Sequence, residues 1–195
     1  RFLEKTAYRF IHDRIQQAAY KMITEQFKNE THLKIGRLLL LQTREKDLSD
    51  RIFDIVNQLN FGRYLLASQQ ERTEVAYHNL VAGKKANTSV AYEQAFRYLK
   101  IGIELLDDNC WELHYDLSLG LYTEGVKAAY LRADFVEMDR LAETVLQKAD
   151  KLLDKMLVYE LKIETFQAQN KMNEALQLAL QVLSDLGQSF PENPG

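Results

Sequence analysis

The chain has 195 residues, 46% of them hydrophobic, enough to bury the core of one large domain or two small ones. Its 25 Lys and Arg against 28 Asp and Glu give a formal net charge of -3, spread along the whole length, which supplies no field for a phosphate backbone or an anionic membrane. Two prolines and 8 glycines are too few for the turns of a many-stranded sheet, so composition points to an all-α protein.

Residues 1–11 alternate aromatic and polar positions at Tyr8, Arg9 and Phe10, the period of a short strand. His12-Asp13 then marks an acidic helix start, with Ile15, Ala18, Ala19, Met22, Ile23 and Phe27 at helical spacing behind it. A second helix fits residues 30–43, where Leu33, Ile35 and Leu38 to Leu41 make it apolar on more than one face, as in a largely buried helix. Ser49 is the expected N-cap of a third helix running to Leu59, with Gly62 beyond its end and a short helical turn at Tyr64 to Ser68.

From residue 70 the pattern changes to long helices in pairs, over 70–87 and 90–106, 111–131 and 135–150, and 152–169 and 172–187. Each second helix opens alike: Tyr92 with Ala95, Tyr98 and Leu99; Phe135 with Met138, Leu141 and Ala142; Met172 with Ala175, Leu178 and Ala179. The same offsets recurring three times are an internal repeat of helical hairpins. A large residue fills the gap at the hairpin turn, a smaller one a turn later lets the partner helix approach, and the next pair carries the buried stripe. One hairpin cannot bury both faces of its helices, so the hairpins are expected to stack and share a core.

The single cysteine, Cys110, excludes an internal disulfide and fits a cytoplasmic, reducing compartment. No apolar run approaches the roughly 18 residues of a membrane-crossing helix. Cys110 and His114 share one face of a predicted helix at the spacing of two metal ligands, but two are too few, so no metal site is assigned and Cys110 reads as a small core residue. His32 and His78 read as surface or boundary residues, and Lys84-Lys85 as the basic complement of a helix C-terminus. No pair of carboxylates stands out as an acid-base dyad, so no catalytic residue is assigned. Tyr115, Tyr122 and Tyr130 recur at helical spacing, which fits inter-helix packing and also fits the lining of a peptide-binding groove.

The run Ala91-Tyr92-Glu93-Gln94-Ala95-Phe96-Arg97-Tyr98-Leu99, followed by Ile103-Glu104-Leu105-Leu106, resembles the second helix of a tetratricopeptide-like repeat, although the Trp-Leu-Gly-Tyr signature of the first helix is absent. Phe10 to Tyr20, His32 to Leu39, Arg51 to Asn60 and Val158 to Lys162 resemble the helical region that follows the STAND-class, AAA-type ATPase core of large bacterial signalling proteins of the cyanobacterial type. In those proteins a Ser/Thr-kinase-like domain, the ATPase and a sensor histidine kinase or cyclase share one polypeptide. Ile11-His12-Asp13 is similar to the Met-His-Asp motif that ends their winged-helix subdomain. The resemblance implies that His12 senses the phosphates of ADP or ATP bound in an upstream domain and that Asp13 orients the helix start. No phosphate-binding loop lies in this chain, so it carries no cofactor of its own.

The expected organisation is the end of a winged-helix-like subdomain and a first helix over 1–28, a helical adaptor over 29–69, tetratricopeptide-like repeats over 70–187 and a Pro-rich linker over 188–195. The expected architecture is a right-handed array of antiparallel helical hairpins, an α-solenoid, cut from a longer polypeptide. The expected function is a non-catalytic protein-interaction and signal-relay segment of a multidomain kinase or ATPase. Its partners would be another protein or neighbouring domains, with a homodimer as a further option, and neither nucleic acid nor membrane. The alternative is a structural spacer or self-association module without a specific ligand.

Overall fold

The computed structural model describes residues 12–188. The strand expected over residues 1–11 and most of the Pro-rich linker lie outside the described residues. Within them the chain forms ten α-helices and no strand: α1 Asp13–Met22, α2 Glu25–Gln42, α3 Glu45–Phe61, α4 Gln69–Thr88, α5 Tyr92–Leu105, α6 Cys110–Leu113, α7 Tyr115–Leu131, α8 Phe135–Lys148, α9 Leu152–Ala168 and α10 Met172–Asp185, with a 3-10 turn at Arg63–Leu65. Among them no helix is long and apolar enough to cross a membrane.

Apart from the short α6, the six helices from α4 onward fall close to where the repeat put them, and the turns explain why. Val90, Ala133 and Asn170 each adopt a left-handed backbone, at φ of 62°, 59° and 60°, two residues before the second helix of their hairpin. In each turn one N–H reaches three residues back, from Val90 to Asn87 O at 3.1 Å, Ala133 to Tyr130 O at 2.9 Å and Asn170 to Gln167 O at 2.9 Å. The next N–H reaches five back, from Ala91 to Ala86 O at 2.9 Å, Asp134 to Ala129 O at 2.9 Å and Lys171 to Phe166 O at 2.8 Å. This pattern satisfies the last carbonyls of the first helix and reverses the chain.

Packing then joins the hairpins. A Cβ added at Gly83 of α4 would lie 2.5 Å from Leu99 Cγ, and one at Gly102 of α5 would lie 2.5 Å from Leu121 Cδ2 of α7. The missing side chains set the close approach within the first hairpin and between it and the second. One hydrophobic cluster runs from Leu33 on α2 through Leu99, Leu121 and Leu141 to Leu161 on α9. The molecule is therefore an all-α, solenoid-like array with a continuous core, as the sequence led us to expect.

Four local expectations are corrected. The helix expected to run through Phe27 stops at Met22, because Ile23 and Thr24 are extended and the Thr24 hydroxyl accepts the Phe27 N–H at 3.4 Å, capping α2. Helix α3 starts at Glu45, so Ser49 lies inside it; the acidic first turn of Glu45 and Asp47, with Arg44 bonded to Asp47 at 2.8 Å, fixes the earlier start. The helix expected over 111–131 is broken at His114, whose ψ of 51° separates the short α6 from α7. Helix α2 is not largely buried: only Lys28, Leu33 and Gly36 are, while Leu41 is 83% exposed.

Candidate functional site

The first helices of the hairpins, α4, α7 and α9, pack against one another in sequence. Between the second helices α5 and α8 lies a recess of about 330 Å³, floored by Gly125 and walled by Phe96, Lys100 and Ile103 on one side and Glu137, Arg140 and Leu141 on the other. Arg140 and Glu137 pair at 2.8 Å on its rim. Walls that mix Phe96, Ile103 and Leu141 with Lys100, Glu137 and Arg140 suit an amphipathic polypeptide segment.

A second recess, of about 500 Å³, opens where α2 and α3 meet α5, with Asn57, Phe61, Arg63, Tyr64, Arg97 and Tyr98 in its wall. The Tyr98 hydroxyl donates to Asn57 Oδ1 at 3.0 Å, and burial raises the Tyr98 phenol above its ordinary pKa. Arg63 donates to the Tyr64 hydroxyl at 2.6 Å, and its guanidinium lies over the Tyr64 ring at 4.3 Å. Phe61 and Tyr64 are exposed. The wall thus offers aromatic faces beside guanidinium and amide donors, a combination that hydrogen-bonds and stacks against peptide.

Beneath this recess a buried amide pair fixes α3 to α4. Asn60 Nδ2 donates to Asn79 Oδ1 at 2.8 Å, Asn79 Nδ2 returns a bond to Asn60 Oδ1 at 2.9 Å, and Asn79 is fully buried. Lys85 adds a second tie, donating to the Ser49 carbonyl at 2.6 Å and lying 5.5 Å from the Phe53 ring centre. Its role therefore extends beyond the helix-end complement read from the sequence.

The residues singled out in the sequence are scattered. His12 is exposed, in an extended conformation just before α1, and its side chain makes no capping bond; Asp13 is the exposed first residue of that helix. Asp13 shares a shallow surface recess with Gln17, Tyr20 and Lys21. Tyr115, Tyr122 and Tyr130 are all half-buried and face neighbouring helices rather than forming one open row. The Tyr115 hydroxyl donates to Asp154 Oδ2 at 2.7 Å and accepts the Asp150 N–H at 3.0 Å, tying α7 to the start of α9. Burial and the bond to Asp154 hold its phenol above the ordinary value. Tyr122 stands 5.4 Å from the Trp111 ring, and burial, then the nearby Cys110 thiol, raise its pKa. Tyr130 meets Phe135 at 6.4 Å; the Glu164 carboxylate facing its hydroxyl, and then burial, raise its pKa.

Cys110 is buried, and the break at His114 removes the continuous helix that was to align the two. Among the described residues no group of three potential ligands could hold a metal ion. His78, read as a surface or boundary residue, is instead buried on α4 with Nδ1 unpaired, and burial lowers its pKa against a weaker opposing effect of Glu74. The Asn60–Asn79 pair escaped the sequence reading, yet it left a signal there. Asn79 falls between Val75, Ala76, Leu80 and Ala82, where helical periodicity places an amide on the core face. Arg63 and Arg97 carried no such signal, because a surface arginine gains meaning only from what folds up beside it.

No protein-family model matches the chain, and no solved structure matches it. The chain is similar to the Dictyostelium discoideum protein described as hybrid signal transduction histidine kinase G, with 30% identity over 204 residues. The match takes in 92% of this chain and 6% of that protein. The helical array thus has its counterpart in one small segment of a much larger signal-transduction histidine kinase.

Proposed function

We propose that this chain is a non-catalytic relay segment of a multidomain signalling kinase, binding a protein partner or a neighbouring domain of its own polypeptide. The observation that carries the reading is the similarity to a histidine kinase, in which nearly the whole of this chain corresponds to a small part of the larger protein. The two mixed aromatic and charged recesses supply surfaces for such contacts. The tetratricopeptide-like character of the hairpins supports the same reading, since stacked hairpins present extended faces to partners. In this proposal an upstream STAND-type ATPase binds ATP or ADP, and His12 and Asp13 report its nucleotide state to the array.

The test has two arms. The 195-residue chain, incubated with ATP, should neither hydrolyse it nor become phosphorylated, and turnover tracking this chain through purification would overturn the non-catalytic assignment. In the intact kinase, Arg97→Glu in the recess beside α5 should change autophosphorylation while leaving the thermal unfolding of the isolated chain unchanged. Unaltered autophosphorylation in that variant and in Lys100→Glu would favour a structural spacer.

A further inference from the structure

The recess where α2 and α3 meet α5 is built around one guanidinium, that of Arg63. Its walls come from α2, α3, the 3-10 turn and α5, and Gly62 brings them together. A Cβ at Gly62 would lie 2.6 Å from both the Asn29 carbonyl oxygen and Leu33 Cβ, so the bare glycine lets α2 close on the turn that carries Arg63 and Tyr64. Arg63 is then held at both terminal nitrogens. Nη1 donates to the Asn60 carbonyl at 3.2 Å, Nη2 donates to the Tyr64 hydroxyl, and the side chain is only 25% exposed. Asn60 is fixed in turn by its reciprocal bonds to Asn79.

The carboxylate that approaches Arg63, Glu104 Oε2, stays 3.9 Å from Nη2, beyond hydrogen-bond length. Arg63 is thus a largely buried cation without a hydrogen-bonded anion among the described residues. Such a group is costly to leave unpaired, and a guanidinium already held in one orientation loses little further freedom when an anion arrives. Arg97 lines the same recess from α5, exposed and without an ion pair among the described residues. The Tyr98 hydroxyl occupies Asn57 Oδ1, which leaves the Asn57 amide hydrogens for a ligand. The one carboxylate in the lining, Glu25, is paired with Lys28 at 2.6 Å.

Two guanidiniums and an amide donor therefore converge in a chain whose net charge is -3. One arginine satisfies the two oxygens of a carboxylate, whereas a phosphate monoester brings three terminal oxygens and nearly two negative charges to this set of donors. Beside them, exposed Phe61 and Tyr64 offer ring faces to the carbon skeleton that carries the phosphate. We propose that this recess binds a phosphorylated side chain of a polypeptide segment, with its phosphate on Arg63, Arg97 and Asn57 and its skeleton against Phe61 and Tyr64. The proposal rests on the relay reading and deepens it, since phosphorylation of the partner segment is then what the array detects.

Titration of the 195-residue chain with phenyl phosphate at about pH 7.5, where the monoester is a dianion, tests it through the arginine Nε–H resonances. Binding should saturate and move Arg63 and Arg97 together. It should be tighter than that of inorganic phosphate, which lacks the ring, and of benzoate, which lacks the second charge. Arg97→Gln, at an exposed position, should weaken it by about tenfold, the worth of one charge-assisted contact. Arg63→Gln should do the same, with thermal unfolding confirming that it folds. Lys100→Gln, on the same helix but lining the other recess, should bind as the wild type does. Shifts that never saturate, inorganic phosphate or benzoate bound as tightly as phenyl phosphate, or an unweakened Arg97→Gln would each overturn the proposal. Saturable binding together with unaltered autophosphorylation of the intact Arg97→Glu kinase would refute the relay role alone and leave the site standing.

Discussion

Val90→Asn should stabilise the chain, and the repeat supplies its own control. A β-branched side chain at φ of 62° crowds the following carbonyl, a conformation that costs about 1–3 kcal/mol at a non-glycine residue. Val90 is 69% exposed, so truncating its contacts forfeits only about 0.5 kcal/mol of burial. Asn adopts the left-handed backbone at low cost and avoids the extra unfolded-state entropy of Gly. The net gain is about 1 kcal/mol, which raises the melting temperature of a chain this size by roughly 2–4 °C. Asn170 sits at the same point of the third turn, with φ of 60°, so Asn170→Val should lower stability by a similar amount. Thermal unfolding followed by circular dichroism reads both changes. A Val90→Asn melting temperature at or below wild type, or a neutral Asn170→Val, would refute the assignment of strain to this turn position.

Four further outcomes follow from side-chain contacts. Asn79→Leu strands the buried Asn60 amide and should cost about 1–3 kcal/mol in urea unfolding; if Asn60→Leu combined with it costs as much as the two single changes added, the reciprocal pair is not the cause. Tyr115→Phe removes the link from α7 to Asp150 and Asp154 and should cost about 0.5–1.5 kcal/mol, with faster amide exchange at the start of α9 as the second readout. His78 is held below its ordinary pKa by burial, so the unfolded chain takes up its proton first as pH falls. Its contribution should be whole above about pH 6.5 and decline below it until the lowered folded value is passed, and His78→Gln should flatten that part of a urea-midpoint profile. Asp134, whose carboxylate is held down by the Glu137 N–H and then by Arg132, acts in a separate window, losing its contribution as pH falls through the carboxylate range below about 4.

Composition and apolar periodicity determined the all-α class and the six repeat helices, because a helix with a buried stripe must space its apolar residues by the helical period whatever it packs against. The offsets at Tyr92, Phe135 and Met172 located the hairpin turns, since turn geometry is local. Helix starts governed by a cap or an ion pair were less legible: Thr24 and the Arg44–Asp47 contact moved α2 and α3 away from their expected bounds.

Tertiary structure alone decided which side of each apolar helix is covered. Leu38 and Leu41 read as core residues until α3 was seen to cover only the opposite side of α2. Tyr115 and Tyr130 read first as inter-helix packing with a groove as the other option, and α9 lying beside them settles for packing. Periodicity shows that a stripe exists on a helix, whereas its partner comes from a remote part of the chain or from another molecule, and spacing within one helix carries no information about either.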